Sequence, residues 1–368
     1  MKSRSSGGSG VKWDDPHQAT RPRSSRLASC IPTIRTLEPV ADAKRRPQAA
    51  LIYNPTKVDL PALRAAVKKR ETEQGWAPTL WLETTVDDPG QGVADQAVQS
   101  GAQLIIAAGG DGTVRAVAQV VAGSDASLAL IPSGTGNLLA RNLSLTLDDI
   151  EASIATAFTG ADRTMDLGRV EIEDDKGDRT SHVFVVMAGL GLDAKMLANT
   201  DEELKDKVGW LAYLGALGSA MRDKKQLNLR YQLDDDRQVA VRAHTLIVGN
   251  CGSLPGNVLL LPDAAVDDGL FDIVLLRPKG VWGWLQIWFL IIWENGVLRR
   301  TEVGRKLLGG VKEVRVLRYF TAREIVIRLS RAEEIELDGD SFGTGRALKV
   351  WIEPDGLTVR VPPEKPAS

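Results

Sequence analysis

Residues 104–113 read LIIAAGGDGT, an apolar run that ends in a glycine-rich loop around Asp111. Residues 128–137 read LALIPSGTGN and repeat the pattern, with a second glycine loop after a second apolar run. Glycines let the backbone approach an anion closely, and a following helix turns its free N–H groups toward that anion. One such loop is a weak signal. Two in tandem, the first carrying a carboxylate, predict a nucleotide triphosphate site with a place for Mg²⁺.

Strands and helices alternate around these loops. Apolar runs at 49–53 and 79–83 predict two further strands, and helical spacing at 60–73 and 92–100 predicts the helices that connect them. This alternation is typical of a doubly wound, mostly parallel α/β sheet, which binds ligands at the carboxyl ends of its strands. The first strand ends there in Asn54-Pro55-Thr56.

After about Asp166 the pattern changes to alternating apolar and polar residues, which predicts an antiparallel β-sandwich. Two helices are expected within it, one over 204–221 and a Trp-rich one over 281–296. The strands are expected at 169–172, 182–187, 227–233, 239–248, 271–276, 314–318, 324–329, 335–337, 348–352 and 357–361. The chain therefore divides into a tail (1–46), a nucleotide-binding α/β domain (47–165) and a β-sandwich domain (166–362).

The composition excludes several classes of protein. The 368 residues carry 46 Lys and Arg against 48 Asp and Glu, so we expect no general affinity for nucleic acid. Cys30 and Cys251 have no metal or redox spacing, which suits a reducing cytoplasm. No apolar run reaches the roughly 20 residues of a membrane span. The polar tail has no signal-peptide pattern. We interpret it as a disordered, solvated extension rather than a tether to anionic lipid.

The sequences of the two loops disfavour two common kinds of nucleotide-binding site, the P-loop and the dinucleotide-binding fold. Neither loop carries the Gly-Lys-Ser/Thr of a P-loop ATPase or the spacing of a dinucleotide fingerprint. Asp111 either caps a helix or acts at phosphate or metal, and we favour the second role. His17, His182 and His244 show no triad or zinc spacing. Carboxylates, glycine loops and a metal ion indicate phosphoryl transfer, where positioning and charge neutralisation dominate.

Three further segments each allow two structural interpretations. Asp338-Gly339-Asp340 and Asp267-Asp268-Gly269 are either Asp-Gly turns or Mg²⁺ sites. In isolation, we favour a turn for 338–340. Residues 281–293 hold four of the nine tryptophans, which suits a buried helix or an interfacial helix equally.

Taken together, these residues resemble the diacylglycerol kinase catalytic family, the soluble bacterial lipid kinases related to sphingosine kinases. The resemblance covers about 49–362. Its motifs are Asn54-Pro55-Thr56, residues 109–113, residues 132–137, Met165-Asp166-Leu167-Gly168, residues 189–193, Asp267-Asp268-Gly269 and Asp338-Gly339-Asp340.

The resemblance implies that ATP lies between an NAD-kinase-like α/β domain and the β-sandwich. The implied ATP-binding residues are Asn54, Pro55, Thr56, Thr84, Gly109, Gly110, Asp111, Gly112, Thr113, Ser133, Gly134 and Thr135. Asp338 matches the proposed base for the lipid hydroxyl, and Asp111 is the alternative base. Asp268, with backbone oxygens near Ala265 and Leu270, matches a structural Mg²⁺ site that stabilises an acidic network, and Asp166 would be part of that network.

The chain departs from the family pattern at three positions. Asp340 stands where Glu is usual, which puts direct metal contact there in doubt. Arg115 stands where Asn is common, and either contacts phosphate or faces solvent. Lys57 stands where Ser is common, and either reaches a phosphate or stays solvated.

The function implied is that of an ATP- and Mg²⁺-dependent kinase that phosphorylates the hydroxyl of diacylglycerol or a related lipid, giving phosphatidic acid. It would be cytoplasmic and peripherally associated with the inner face of the membrane, with its lipid substrate at the membrane surface. Family members often form dimers, so the resemblance allows a homodimer, while the sequence itself leaves the oligomeric state open. The rival functions are an NAD kinase, which shares the first glycine loop, and a non-catalytic lipid-binding protein.

Overall fold

A computed structural model describes residues 46–191, 226–254, 258–278, 282–283, 286, 313–314 and 317–363. The predicted helix over 204–221 lies outside these residues. So does the helix over 281–296, apart from Trp282, Gly283 and Gln286. Within the described ranges, no helix is long and apolar enough to cross a bilayer.

The first part of the described chain alternates strands and helices, as the sequence predicts. Its elements are β1 (Ala49–Tyr53), α1 (Leu60–Gln74), β2 (Leu80–Glu83), α2 (Gln91–Gln99), β3 (Leu104–Gly109), α3 (Asp111–Val121), β4 (Ser127–Pro132), α4 (Leu138–Asn142) and α5 (Ile150–Thr159).

The four strands β1 to β4 form a parallel sheet in the order β2-β1-β3-β4. Every residue of β1 and β3 is buried, because helices cover both faces of the sheet. Apolar side chains of α2 and α3 pack in one buried cluster, and those of α1 and α5 pack in another. The sequence reading did not identify α5, although Ile154, Ala157 and Phe158 form its buried face.

The second part consists of strands among the described residues. They are β5 (Ala161–Glu173), β6 (Arg179–Phe184), β7 (Met187–Leu190), β8 (Leu227–Leu233), β9 (Val239–Ala243), β10 (Thr245–Gly249), β11 (Ser253–Leu254), β12 (Val258–Leu259), β13 (Phe271–Leu276), β14 (Glu313–Val314), β15 (Leu317–Ala322), β16 (Glu324–Leu337) and β17 (Asp340–Val361). All pairings among them are antiparallel. They share a buried core in which the rings of Phe184 and Phe271 stack with centroids 5.5 Å apart. The predicted order, α/β first and β-sandwich second, is confirmed.

Two predicted strands are each divided in the structure. The segment 182–187 breaks at Val185 and Val186, whose N–H groups bind the Asp338 carboxylate instead of a strand partner. The segment 239–248 breaks at His244, whose N–H donates to the carbonyl of Leu276. Conversely, the predicted pairs of strands at 324–337 and 348–361 are single strands with irregular pairing inside them.

The parallel sheet and the sandwich strands are joined by hydrogen bonding. The pairing runs through β17, which lies parallel to β4 at Val359 and Leu128 and antiparallel to β5 along most of its length. Strand β5 begins at Ala161, before the predicted boundary at 165–166. That boundary stays a prediction.

Candidate active site

The two glycine loops lie side by side at the carboxyl edge of the parallel sheet. Strands β3 and β4 end opposite one another at Gly109 and Pro132, and the N–H of Ser133 donates to the carbonyl of Gly109 at 3.1 Å. A Cβ added at Gly134 would lie 2.7 Å from the Cα of Gly110. A side chain at Gly134 is therefore incompatible with this approach, and the loops form one continuous backbone surface.

Asp111 links the two glycine loops, but its carboxylate does not cap α3, the helix in which it lies. The N-cap of α3 is Gly110, and no side chain among the described residues caps that helix. The Asp111 carboxylate instead accepts a hydrogen bond from the N–H of Leu138, at the start of α4, at 2.6 Å. The first N–H groups of α3 are therefore not capped by a side chain, and free N–H groups at a helix N-terminus favour an anion.

Burial raises the pKa of the Asp111 carboxyl above its usual range. Hydrogen bonds from the backbone of Leu138 and Asn137 oppose this increase, and the nearby charge of Asp340 adds to it. A carboxylate with a raised pKa is a better proton acceptor near neutral pH. This direction agrees with a general base, and the predicted role of Asp111 as the base stays a prediction.

The Asn54-Pro55-Thr56 segment forms a turn at the same edge, after β1. The N–H of Asn54 donates to the carbonyl of Ala108 in β3 at 3.0 Å. The Asn54 Oδ1 accepts from both the N–H and the hydroxyl of Thr56, at 3.0 and 2.8 Å. The side chain of Asn54 therefore orders the turn itself. Lys57 is exposed beside it, and its predicted contact with phosphate stays a prediction.

Thr84 follows β2 at the same edge and is buried, and its N–H donates to the carbonyl of Tyr53. A cavity of about 280 Å³ lies near this edge, lined among others by Lys57, Pro132, Ser133 and Ser153. The structure thus places the predicted nucleotide residues of all four strand ends along one edge. Their contacts with ATP stay predictions.

An acidic turn from the sandwich reaches the start of α3. This turn, between β16 and β17, brings Asp340 to Arg115, whose Nη2 donates to Asp340 Oδ2 at 2.5 Å. Arg115 Nε also lies 3.8 Å from Asp338 Oδ2, and the guanidinium stacks 4.3 Å from the centroid of the Phe342 ring. Arg115 is buried, so of the two roles left open for it, facing solvent is excluded.

Backbone N–H groups hold both carboxylate oxygens of Asp338. It is 3% exposed, and its two oxygens accept from the N–H groups of Val185, Val186 and Met187 at 2.8 to 3.0 Å. Burial raises its pKa to about 6, although the three N–H groups and Arg115 act in the opposite direction. The geometry fits a residue that positions the acidic turn. Its predicted role as the base stays a prediction.

Hydrogen bonds to Asp166 hold the backbone of the 267–269 turn in place. The Asp166 carboxylate is buried and accepts from the N–H groups of Gly269, at 2.7 Å, and Asp355, at 3.0 Å. Asp268 is exposed, and its Oδ1 accepts from the N–H of Leu270. Asp166 thus holds the backbone of this turn, and its expected part in an acidic network around Mg²⁺ stays a prediction.

Further carboxylates lie around this turn. Burial, followed by the charges of Asp268 and Asp263, raises the pKa of Asp272 to about 6. Among the described side chains, no group of three His, Cys, Asp or Glu forms a metal cage. The Mg²⁺ site expected at Asp268, Ala265 and Leu270 stays a prediction.

Sequence reasoning missed Asn142, a polar residue behind the second loop. Its side chain donates to the carbonyls of Leu138 and Ser253 and accepts from the N–H of Ser253, all at 2.9 to 3.0 Å. It thereby links α4 to the sandwich strand β11. The only sequence signal was an Asn at the end of a short helix, which is too common to be informative.

Comparisons with known proteins agree with this arrangement. Residues 48–170 match the diacylglycerol kinase catalytic domain, and residues 185–287 match the YegS C-terminal NAD kinase beta sandwich-like domain. A Pseudomonas aeruginosa protein named "Probable lipid kinase YegS-like" is 31% identical over 310 residues, which cover 83% of this chain and 91% of that protein. A diacylglycerol kinase of Mycobacterium tuberculosis is 32% identical over 181 residues, or 49% of this chain and 57% of that one.

The fold has a solved counterpart. The crystal structure of a diacylglycerol kinase from Bacillus anthracis matches with a TM-score of 0.63 at 22% identity, covering 86% of this chain and 97% of that one. The match to the catalytic-domain model and the relative from Pseudomonas aeruginosa identify a kinase of the lipid-kinase type. The chain belongs to the diacylglycerol kinase catalytic family.

Proposed function

We propose that the protein transfers the γ-phosphate of ATP to the hydroxyl of diacylglycerol or a closely related lipid, giving phosphatidic acid or its counterpart. The observation that carries this proposal is the single backbone surface formed by the two glycine loops, with Asp111 beside it and the acidic turn opposite. The relative from Mycobacterium tuberculosis named diacylglycerol kinase supports the choice of substrate.

In the proposed reaction, the lipid hydroxyl oxygen attacks the γ-phosphorus, the bond to the β-phosphate oxygen breaks, and ADP leaves. The hydroxyl proton passes to a carboxylate. Asp111 is only partly buried beside the glycine loops, which supports it as this acceptor, whereas the three backbone hydrogen bonds to the two oxygens of Asp338 support a positioning role for that residue. Residues 109–113 and 133–135 would orient the phosphates through their N–H groups.

Mg²⁺, when bound, would neutralise negative charge on the phosphates. Asp268 and the backbone oxygens of Ala265 and Leu270 would hold a second, structural ion. Its support would come from the contacts of Asp166 with the same turn. We further propose a cytoplasmic enzyme that acts peripherally at the inner face of the membrane. Trp282, which is 80% exposed, supports this peripheral position.

The proposal is tested with purified full-length protein, labelled ATP, Mg²⁺ and diacylglycerol in mixed micelles. We expect labelled phosphatidic acid from the wild type and a loss of at least about 10²-fold in kcat for Asp111→Asn, as for removal of a general base. A panel of monoacylglycerol, sphingoid base and polyprenol identifies a related substrate. No labelled product from any lipid rejects the proposal. Labelling of NAD instead would identify an NAD kinase.

A further inference from the structure

Phe342 is the first aromatic residue after the acidic turn, and its ring contacts two other parts of the chain. The guanidinium carbon of Arg115, on α3, lies 4.3 Å from the centroid of this ring. The ring of His182, on β6, meets it edge-on with the two centroids 4.8 Å apart. Phe342 therefore connects the helix after the first glycine loop to the sandwich, although none of the motifs of the site includes it.

Strand β17 presents Phe342 and Asp340 to the same partner. The two side chains are two positions apart on one strand, so they lie on the same face of the sheet. Both contact Arg115 there, Asp340 through a hydrogen bond and Phe342 through its ring. One guanidinium group thus holds two residues of the strand that carries the acidic turn.

A β-bulge lies immediately beyond Phe342. Residues 341–344 of β17 span the same stretch of the ladder as residues 334–336 of β16, so β17 contains one residue more than its partner there. Gly343 has a φ of +80°, the left-handed conformation that one type of bulge places at glycine. Bulges redirect side chains and are frequent beside active sites. The regular alternation of β17 therefore ends at the residue that contacts α3.

The ring compensates for what hydrogen bonding leaves incomplete at Arg115, which is 8% exposed. Its Nη2 donates to Asp340. Its Nε lies 3.8 Å from Asp338 Oδ2 and has no hydrogen-bond partner among the described residues. A buried cation of this kind is attracted to the negative face of an aromatic ring. The Phe342 ring therefore stabilises the guanidinium group in the orientation that reaches Asp340.

His182 supports the ring from the sandwich. Burial, followed by the charge of Arg115, lowers the pKa of its imidazole below the usual range, so the imidazole is neutral near pH 7. A neutral imidazole packs against Phe342 without adding a second positive charge beside Arg115. Aromatic pairs at this centroid distance stabilise their contact beyond the area that they bury.

The acidic turn that these contacts hold lies against the first glycine loop. A Cβ added at Gly112 would lie 2.9 Å from Asp340 Oδ2, so this carboxylate packs on the backbone of the loop. The charge of Asp340 also contributes to the raised pKa of Asp111. A displacement of the turn would therefore change the space and the charge beside the loop that is proposed to bind phosphate.

We propose that Phe342 is a positioning residue for phosphoryl transfer, which acts by holding Arg115 against Asp340 while His182 packs against its ring. The inference rests on the proposed function, because the position of the acidic turn affects transfer only if the chain is a kinase. A small displacement of groups around the reacting atoms lowers the rate steeply. Loss of the ring should therefore appear in kcat, and the KM for ATP should change little.

The test compares Phe342→Leu with the wild type in the assay of labelled ATP and diacylglycerol micelles. Leucine keeps an apolar side chain at this partly buried position but removes the ring, and Phe342→Tyr restores the ring. His182→Leu removes the second contact of the ring. The matched control is Phe320→Leu, the same substitution at another partly buried phenylalanine that packs against the same buried cluster of the sandwich. Urea unfolding of every variant measures the stability that it has lost.

We expect Phe342→Leu to lower kcat about tenfold, with the KM for ATP within about twofold of the wild type, and His182→Leu to lower kcat by a smaller factor. Phe342→Tyr should restore most of kcat. The control should keep the wild-type kcat even if it loses as much stability as Phe342→Leu.

Two results would overturn the proposal while leaving the proposed function intact. One is an unchanged kcat in the folded Phe342→Leu variant, and the other is an equal loss of kcat in Phe320→Leu. A wild type that labels no lipid would instead reject the proposed function, and the positioning role with it, before any variant is compared.

Discussion

Arg115 donates a 2.5 Å hydrogen bond to Asp340, and this contact joins the helix after the first glycine loop to the acidic turn of the sandwich. The two residues are 225 positions apart in the chain. Arg115 also lies near Asp338 and over the ring of Phe342. A single guanidinium thus balances two carboxylates beside the proposed phosphate surface, close to Asp111.

We expect Arg115→Ala to lower kcat more than it raises the KM for ATP, because the acidic turn would lose its attachment to α3 while the loops stay in place. The Arg115–Asp340 pair itself should contribute only about 1 kcal/mol, since the Asp340 side chain is half exposed. A double-mutant cycle of Arg115→Ala and Asp340→Ala, followed by kcat and by urea unfolding, measures this coupling. Strictly additive effects would contradict it.

The pH dependence of stability tests the environment of Asp338. Its pKa is about 6 in the folded protein and about 3.9 for an unperturbed carboxyl. Between these values the folded state retains a proton that the unfolded state has lost. The contribution of Asp338 to stability is therefore complete below about pH 4 and declines as the pH rises through 6.

The measurement is the free energy of unfolding of the wild type minus that of Asp338→Asn, from urea titrations at several pH values. We expect this difference to fall between pH 4 and 6, by an amount on the order of 2 to 3 kcal/mol. Asp236→Asn, at an exposed turn, is the control and should show no such trend. A difference that rises with pH would mean that the three N–H bonds outweigh burial.

Much of the parallel sheet could be predicted from the sequence. Strands β1 and β3 are buried on both faces, so each is a continuous apolar run in the sequence. Asn54 and Pro55 follow β1, and Gly109 ends β3. The position of both glycine loops at one edge of the sheet could be predicted as well, because the carboxyl ends of neighbouring parallel strands share one edge.

The contacts across the site could not be predicted in the same way. Asp338 binds three backbone N–H groups, and a backbone donor at Val185 has no signature in the sequence. The alternation at 182–187 therefore indicated one unbroken strand. The contact of Arg115 with Asp340 could not be predicted either, because the two residues become neighbours only when β16 and β17 fold against α3.

The close approach of the two loops predicts that Gly134→Ala is poorly tolerated. The added methyl would lie 2.7 Å from Gly110 Cα and 3.2 Å from Asn137 Oδ1, so the loops would have to separate. We expect a loss of about 1 to 3 kcal/mol in stability and a higher KM for ATP. Gly110→Ala is the contrast, because its methyl would meet Gly134 at an ordinary 3.6 Å. Thermal unfolding of both variants measures the difference, and equal stability would be inconsistent with the contact.

The link between Asn142 and Ser253 predicts that the second glycine loop depends on the sandwich for its position. Asn142→Ala removes three hydrogen bonds, two of them to the backbone of Ser253, and leaves partly buried backbone groups without partners. We expect a loss of about 2 to 3 kcal/mol in stability, at about 1 kcal/mol for each bond. Because α4 begins at the residue that binds Asp111, we also expect weaker nucleotide binding.

Asn142→Asp tests the two donated bonds. It keeps the acceptor for the N–H of Ser253 but places a carboxylate oxygen against the carbonyl oxygens of Leu138 and Ser253, which repel it, so its stability should be no higher than that of the alanine variant. Urea unfolding gives the order of the three proteins, and fluorescence titration with an ATP analogue gives their affinities. If Asn142→Ala loses stability but binds nucleotide as the wild type does, α4 is positioned by the loop alone, without help from β11.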